Sequence, residues 1–209
     1  MFDSAKTEYE HLYSGAFCVC HGFDAAIQQP VVLILERGAH FKGTNTEGFG
    51  TPGGYIDVAT RTEQPRQGAV RELAEEIIHP DGSSVLGPVD PARLRLVDSG
   101  IDYSGGKIGG LHAGTVWHGF SCELTADEML KLKAYAAKMD SDPLYADAVR
   151  AKSNQELGNV FLFPAKEMLE KIGRNEMKFA YAHEMAVVRK VAETLSPVAA
   201  PQHKPGQTI

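Results

Sequence analysis

The chain has 209 residues, 43% of them hydrophobic and 23% charged, which suits one ordinary globular domain or one domain carrying an insertion. A net charge of -6 argues against a nucleic-acid polymer as the main partner, because binding a phosphate backbone needs a basic surface. It leaves small nucleotides open, whose phosphates arrive with bound metal that reverses the local sign.

No stretch approaches the ~20 apolar residues of a membrane span. The opening Met-Phe-Asp-Ser-Ala-Lys-Thr-Glu lacks a basic region followed by an apolar core, so no membrane partner and a cytoplasmic location are expected. Three cysteines fit a reducing compartment without a disulfide framework. Cys18, Cys20, His21, His118 and Cys122 could be drawn as a zinc site, but Cys18 and Cys20 alternate along a strand candidate and read as small core residues.

Taken in order, a polar segment over 1–13 leads into strand candidates at 16–23 and 30–37, joined by a turn over Asp24 to Gln29. A glycine-punctuated loop follows to Gly50. Gly53 and Gly54 then introduce a short strand, Tyr55 to Val58, and a helix from Pro65 to about Ile78. Pro65 fits a first helical turn, Gln64 or Thr62 can cap it, and Pro80 with Gly82 stops it. Strands at 94–98 and 115–124 are linked by a glycine-rich loop over 102–110. No helix follows that loop and it lacks a Gly-Lys-Ser/Thr ending, so it reads as a hairpin or flap and not a phosphate cradle. Thr125 and Glu128 have capping-box spacing for a helix to about Met139, and a second helix spans 144–152. A strand at 159–163, a helix from Pro164 to Ile172 and a last helix from His183 to Leu195 complete the domain. Residues 196–209 read as a disordered tail.

The helix after Pro65 carries the chemistry. At about 100° per residue, Glu72, Glu75 and Glu76 share one arc while Ala69, Val70, Leu73, Ala74 and Ile77 occupy its apolar neighbour. Three carboxylates this close repel one another. A divalent cation removes that cost, and hard oxygen donors with room for water describe Mg²⁺ or Mn²⁺.

Residues 53–76 resemble the Nudix box, Gly-x5-Glu-x7-Arg-Glu-U-x-Glu-Glu-x-Gly-U with U aliphatic. Glu63, Arg71, Glu72, Leu73, Glu75 and Glu76 match it in identity and spacing, and Phe49-Gly-Thr-Pro-Gly-Gly54 resembles its usual approach. There are two departures. Gly54 and Glu63 are separated by eight residues in place of five, which puts a three-residue insertion around Val58 to Arg61. Ile78 stands where the closing Gly is usual, and a branched side chain resists the left-handed cap conformation.

The resemblance implies the Nudix fold, an α/β/α sandwich around a mixed β-sheet over 14–195, with an extra helical insertion at about 125–152. It also implies hydrolysis of a nucleoside diphosphate linked to another moiety, with Mg²⁺ or Mn²⁺ as cofactor. Glu72, Glu75 and Glu76 would hold the metal, with a backbone carbonyl of Gly53 or Gly54 as a further ligand. Helix geometry points Arg71 away from the carboxylate face, and Glu63 is the partner the resemblance suggests for it. Glu156, on a loop before a late strand, is the candidate general base. Arg37 and Lys42 are candidates for phosphate contacts, and Phe49, Tyr103 and Trp117 for stacking on a base; each aromatic has core packing as its alternative.

Pro88 and Pro91 come too early for the pattern associated with ADP-ribose, and the coenzyme A signature is missing. Size and insertion favour ADP-ribose or a nucleotide sugar over a bare triphosphate. A homodimer is allowed. The alternative is a Nudix-like module that binds a nucleotide without turning it over.

Overall fold

A computed structural model describes residues 11–56, 62–102, 107–108 and 111–196. The insertion around Val58 to Arg61, the stacking candidate Tyr103 and the tail beyond residue 196 therefore lie outside the described residues.

The centre is a mixed sheet in which long runs of β-branched and apolar residues are buried on both faces. β1 (His11–Asp24) and β2 (Gln29–Arg37) form an antiparallel hairpin with His21 opposite Val32. Gln28 turns it at φ 55°. β3 (Phe49–Gly50) lies on the far side of β2, while β4 (Gly53–Tyr55) pairs antiparallel with β1. After α1 (Pro65–Glu76), β5 (Arg95–Asp102) pairs antiparallel with β7 (Leu111–Glu123), which in turn runs parallel to β1. β6 (Lys107–Ile108) folds back on the start of β7, as a hairpin would. The inserted helices α2 (Ala126–Ser141) and α3 (Pro143–Lys152) precede β8 (Leu157–Pro164), which pairs antiparallel with β2. Helices α4 (Ala165–Gly173) and α5 (Ala182–Leu195) close the domain. The main path across the sheet is β3-β2-β1-β7-β5.

Alternation along β1 and β2 builds two cores. Ala16, Cys18, Cys20, Val31 and Leu33 face α1, α2 and α3, packing on Ala69, Leu73, Leu132 and Val149. Phe17, Val19, Val32 and Ile34 face α4 and α5, packing on Met168, Ile172, Val187 and Val188. This is the expected α/β/α sandwich. The three thiols are free and buried in the first core.

The insertion is tied down at the start and the middle of α2. Thr125 and Glu128 form the expected capping box, and Arg93 grips Glu128 through both guanidinium nitrogens at 2.7 Å. Lys133 reaches Asp24 at 2.7 Å. Among the described residues no helix is long and apolar enough to cross a membrane.

Several strands run longer than the sequence expectation, such as His11–Asp24 for 16–23 and Arg95–Asp102 for 94–98, and two further differences bear on the site. The strand placed at Tyr55 to Val58 begins at Gly53 and ends at Tyr55, because pairing with β1 outweighs the low strand propensity of glycine. α1 ends at Glu76, with Ile77 at φ -106°, ψ 81°. Ile77 and Ile78 leave the helix in extended form: Val85 donates to the Ile77 carbonyl and Ile78 bridges to Ser84. The chain never enters the left-handed cap at Ile78, so its branched side chain meets no conflict.

Candidate functional site

α1 is set by its first turn. The Gln64 side chain accepts from the backbone N–H of Gln67, and the Gln67 side chain accepts from the Gln64 N–H at 2.9 Å. With Gly68, Ala69 and Leu73 buried against the sheet, Glu72 and Glu76 are left facing β4. The two glycines of β4 make that approach feasible. Glu76 Oε2 accepts from the Gly53 N–H at 3.1 Å. A Cβ on Gly54 would lie 2.5 Å from Glu72 Oε1, and one on Gly53 would lie 2.4 Å from the Phe17 Cβ.

Arg71 is the hub of the acidic group. Its Nε donates to Glu63 Oε1 at 2.9 Å and one terminal nitrogen donates to the Tyr55 carbonyl at 2.7 Å. The other terminal nitrogen lies 2.7 Å from Glu72 Oε1 and 2.8 Å from Glu75 Oε2. The Glu63–Arg71 partnership is the one expected. The orientation of Arg71 is a correction: the guanidinium does not point away but folds back onto Glu72 and Glu75. Its long stem spans a helical turn, and unsatisfied carboxylates on that side attract it.

Burial raises the pKa of Glu72, with Arg71 opposing the shift. Glu76 is pushed well up by burial, then by repulsion from Glu72 and Glu184, while the Gly53 N–H and Arg37 act the other way. Glu184, on α5, was not anticipated. It is 5% exposed. Its Oε1 accepts from the Thr51 hydroxyl at 3.4 Å, its Oε2 has no hydrogen-bond partner, and burial lifts its carboxyl to about 7 against the pull of Arg37. The signal available in the sequence was its place on the α5 stripe of Val187, Val188 and Val191, where a carboxylate is out of keeping with its neighbours.

Arg37 stands at the end of β2, its guanidinium 3.7 Å above the Phe41 ring and 5.6 Å from that of Tyr181. Its Nε is buried without a hydrogen-bond partner. Tyr181 stacks on His183 at 5.3 Å and His183 on Trp117 at 5.0 Å, the latter pair within 10° of parallel. Arg37 and Trp117 are thus joined through two intervening rings. Phe49 lies between Phe161 and Phe179 and packs on the second core, in keeping with its core alternative. Lys42 is an exposed residue just past a short 3-10 turn. Glu156 is exposed on the loop before β8. Its backbone carbonyl accepts from the Gly38 N–H at 2.7 Å, and among the described residues its side chain makes no hydrogen bond or ion pair with the α1 carboxylates.

As these side chains stand, no group of three or more His, Cys, Asp or Glu among the described residues converges to hold one ion. Arg71 holds Glu72 and Glu75 outward from Glu76. The donor set nonetheless fits a hard divalent cation: carboxylates short of positive charge, a buried oxygen on Glu184 without a partner, and glycine backbone at the one place where a side chain would clash with Glu72.

No family model and no curated protein matches this chain. Similarity is found among solved structures. The NUDIX domain of Shewanella oneidensis NrtR, complexed with ADP ribose, is 17% identical, with a TM-score of 0.48 over 93% of this chain and 94% of that one. A mutT/nudix family protein from Listeria innocua is 17% identical, with a TM-score of 0.47 over 90% and 95% of the two chains. Shewanella oneidensis NrtR complexed with a 27mer DNA is 18% identical, with a TM-score of 0.45 over 84% of this chain and 59% of that one.

Proposed function

We propose that this chain is a metal-dependent pyrophosphohydrolase of the Nudix type. It cleaves the diphosphate of a nucleoside diphosphate joined to another moiety, with ADP-ribose or a nucleotide sugar favoured over a bare triphosphate. The observation that carries this reading is Glu72 and Glu76 held against the Gly53-Gly54 backbone, with Arg71 bonded to Glu63 beside them. Box positions remote in sequence, 53, 63, 71 and 76, are brought together.

A diphosphate repels an incoming nucleophile, and Mg²⁺ or Mn²⁺, when bound, neutralises its oxygens and acidifies water. Glu72, Glu75 and Glu76 are the side chains that would hold the ion, with a Gly53 or Gly54 carbonyl available beside them. Arg71 fixes Glu63 and the end of β4 relative to the helix. Arg37, held between Phe41 and Tyr181, supplies positive charge on the Glu76 and Glu184 side, where substrate phosphates would enter. Two carboxylates compete for the role of proton acceptor. Glu156 has loop position in its favour; Glu184 has a raised affinity for a proton near neutrality and proximity to Glu76, and we favour Glu184.

A second reading, a module that binds a nucleotide without hydrolysing it, draws on the dispersed arrangement of Glu72, Glu75 and Glu76. One assay separates the two: release of nucleoside monophosphate or phosphate across a panel of nucleoside-diphosphate compounds, with and without Mg²⁺ and Mn²⁺, alongside equilibrium binding of the same compounds. Metal-dependent release supports the hydrolase; binding without release across the panel overturns it.

A further inference from the structure

A cavity of about 360 Å³ lies beyond the end of α1, between the chain that leaves that helix and the inserted helices α2 and α3. Lys131, Ala134, Tyr135 and Lys138 line it from one stripe of α2, at the spacing that puts residues on a single helical face. Tyr145 of α3, His79, three residues past Glu76, and Val85 complete its walls. The three rings meet edge to face: His79 and Tyr135 at 6.0 Å and 83°, Tyr135 and Tyr145 at 6.3 Å and 75°. His79 Nδ1 and the Tyr145 hydroxyl share a hydrogen bond of 2.6 Å, which fixes both walls.

Two lysines of α2 line this cavity. Lys133, on the other side of α2, pairs with Asp24, and Lys171 and Lys190 pair with Glu167 and Asp98. Among the described residues Lys131 and Lys138 have no carboxylate partner; the Lys138 ammonium rests 4.3 Å from the centre of the Tyr145 ring. Two acids are nearby: Asp142, whose Oδ1 accepts from the Tyr145 N–H at 3.1 Å, and Asp81, close enough to influence Tyr145. One hydroxyl of the lining, that of Tyr135, is buried without a hydrogen-bond partner, leaving a cost of about 1–3 kcal/mol that an acceptor reaching it would relieve. Aromatic walls, two ammonium groups without a carboxylate partner and one unpartnered hydroxyl are the chemistry that suits a planar anion. The volume sits near the lower end of the ~300–1,000 Å³ range of small-ligand pockets, enough for one nucleotide unit and not two.

We propose that this cleft is a second ligand site, distinct from the α1 carboxylates, that takes a small organic anion combining a planar ring with a phosphate, of the nucleoside monophosphate class. The choice of that class rests on the proposed hydrolysis, which would release such a product; the site itself does not. The ring stands against Tyr135 and Tyr145, and the phosphate lies between Lys131 and Lys138. The inserted helices, for which the reaction has no use, thereby acquire one, and the occupant sits where the chain leaves the helix that carries Glu75 and Glu76.

The test uses the full chain in EDTA, so that metal-dependent binding at the carboxylates is suppressed. Azido-AMP is photo-crosslinked and the labelled peptide identified by mass spectrometry, and equilibrium affinities are measured for AMP, adenosine and inorganic phosphate. The expected result is label within the peptide spanning Lys131 to Tyr145, competed by AMP, with AMP binding weakened about tenfold or more by Lys131→Gln with Lys138→Gln. Adenosine and inorganic phosphate should each bind more weakly than AMP. Label confined to other peptides, affinity indifferent to the lysine substitutions, or adenosine or phosphate binding as well as AMP would each overturn the proposal. The lysine variant should keep wild-type turnover on any substrate the panel finds. Loss of its labelling with turnover intact therefore speaks to the cleft alone, and absence of turnover with labelling intact speaks to the hydrolase reading alone.

Discussion

Glu184→Gln should change how stability depends on pH, with a sign that geometry dictates. The carboxyl is 5% exposed, has one long bond from Thr51 and is lifted from 4.5 to about 7. Because the folded protein holds this proton more tightly than the unfolded chain, the stabilisation is complete below about pH 4.5 and is lost as pH rises through about 7. At ~1.4 kcal/mol per pKa unit, this single group removes up to ~3 kcal/mol over that window. Glutamine keeps the shape and has no proton to lose. In urea unfolding at a series of pH values in EDTA, the variant should match or fall slightly below wild type near pH 5 and exceed it by ~2–3 kcal/mol near pH 8. Glu76 feels the Glu184 charge, so part of the gain arises there, and a double-mutant cycle with Glu76→Gln measures that part. Parallel stability curves for variant and wild type, or a variant less stable at pH 8, would refute the reasoning.

Glu75→Gln or Glu76→Gln should lower turnover by several orders of magnitude while stability in metal-free buffer holds or rises as repulsion is relieved; full activity in either at saturating Mg²⁺ would remove the metal assignment. The two glycines of β4 should fail differently. The atoms nearest a methyl at Gly54 are the carboxylate of Glu72, the far end of a flexible side chain, whereas one at Gly53 meets the Phe17 Cβ at 2.4 Å and Cα at 2.8 Å, so Gly54→Ala should cost activity with little change in Tm, and Gly53→Ala should cost about 2 kcal/mol or more in folding. Arg71→Lys, which cannot span Glu63, Glu72 and Glu75 with one fork, should lower both Tm and turnover, and equal activity in the two forms would count against the hub. For the proton acceptor, the acidic limb of the pH–rate profile should disappear in Glu184→Gln and persist in Glu156→Gln; the reverse outcome would return the role to the loop.

What the sequence made legible follows from which forces act locally. β1, β2 and α1 could be read because alternation, helical periodicity and the Pro65 start are properties of neighbouring residues. The Glu63–Arg71 pair could be read because its spacing is part of a recognisable motif, and the geometry around it reproduces that pairing. Arg71 folding onto Glu72 and Glu75 could not, since a helical projection gives each residue one direction and a guanidinium on a flexible stem ranges over a full turn. Glu184 was passed over because an acid near the start of a helix is ordinary; only packing of α5 on the second core shows that this one is enclosed. β4 was misplaced for a related reason: pairing partners supplied by β1, and not the intrinsic preference of Gly53 and Gly54, decide where that strand begins.

The charges of the site bear on why its carboxylates can coexist. Among the described residues, the carboxylates of Glu63, Glu72, Glu75, Glu76 and Glu184 meet the guanidiniums of Arg71 and Arg37, leaving three negative charges in excess. Arg71 is fully engaged with five oxygens, four of them from carboxylates on its own helix or its approach. Arg37 faces Glu76 and Glu184 from across the sheet and bonds neither through Nε. Burial raises the proton affinity of Glu72, Glu76 and Glu184, and repulsion from neighbouring carboxylates adds to it at Glu72 and Glu76. Glu72, Glu75 and Glu76 are the residues that would hold a divalent ion, which would take up two of the three charges. Excess negative charge thus favours a metal while burial gives Glu184 a proton it can exchange near neutral pH, the two components that the proposed hydrolysis of a diphosphate would use.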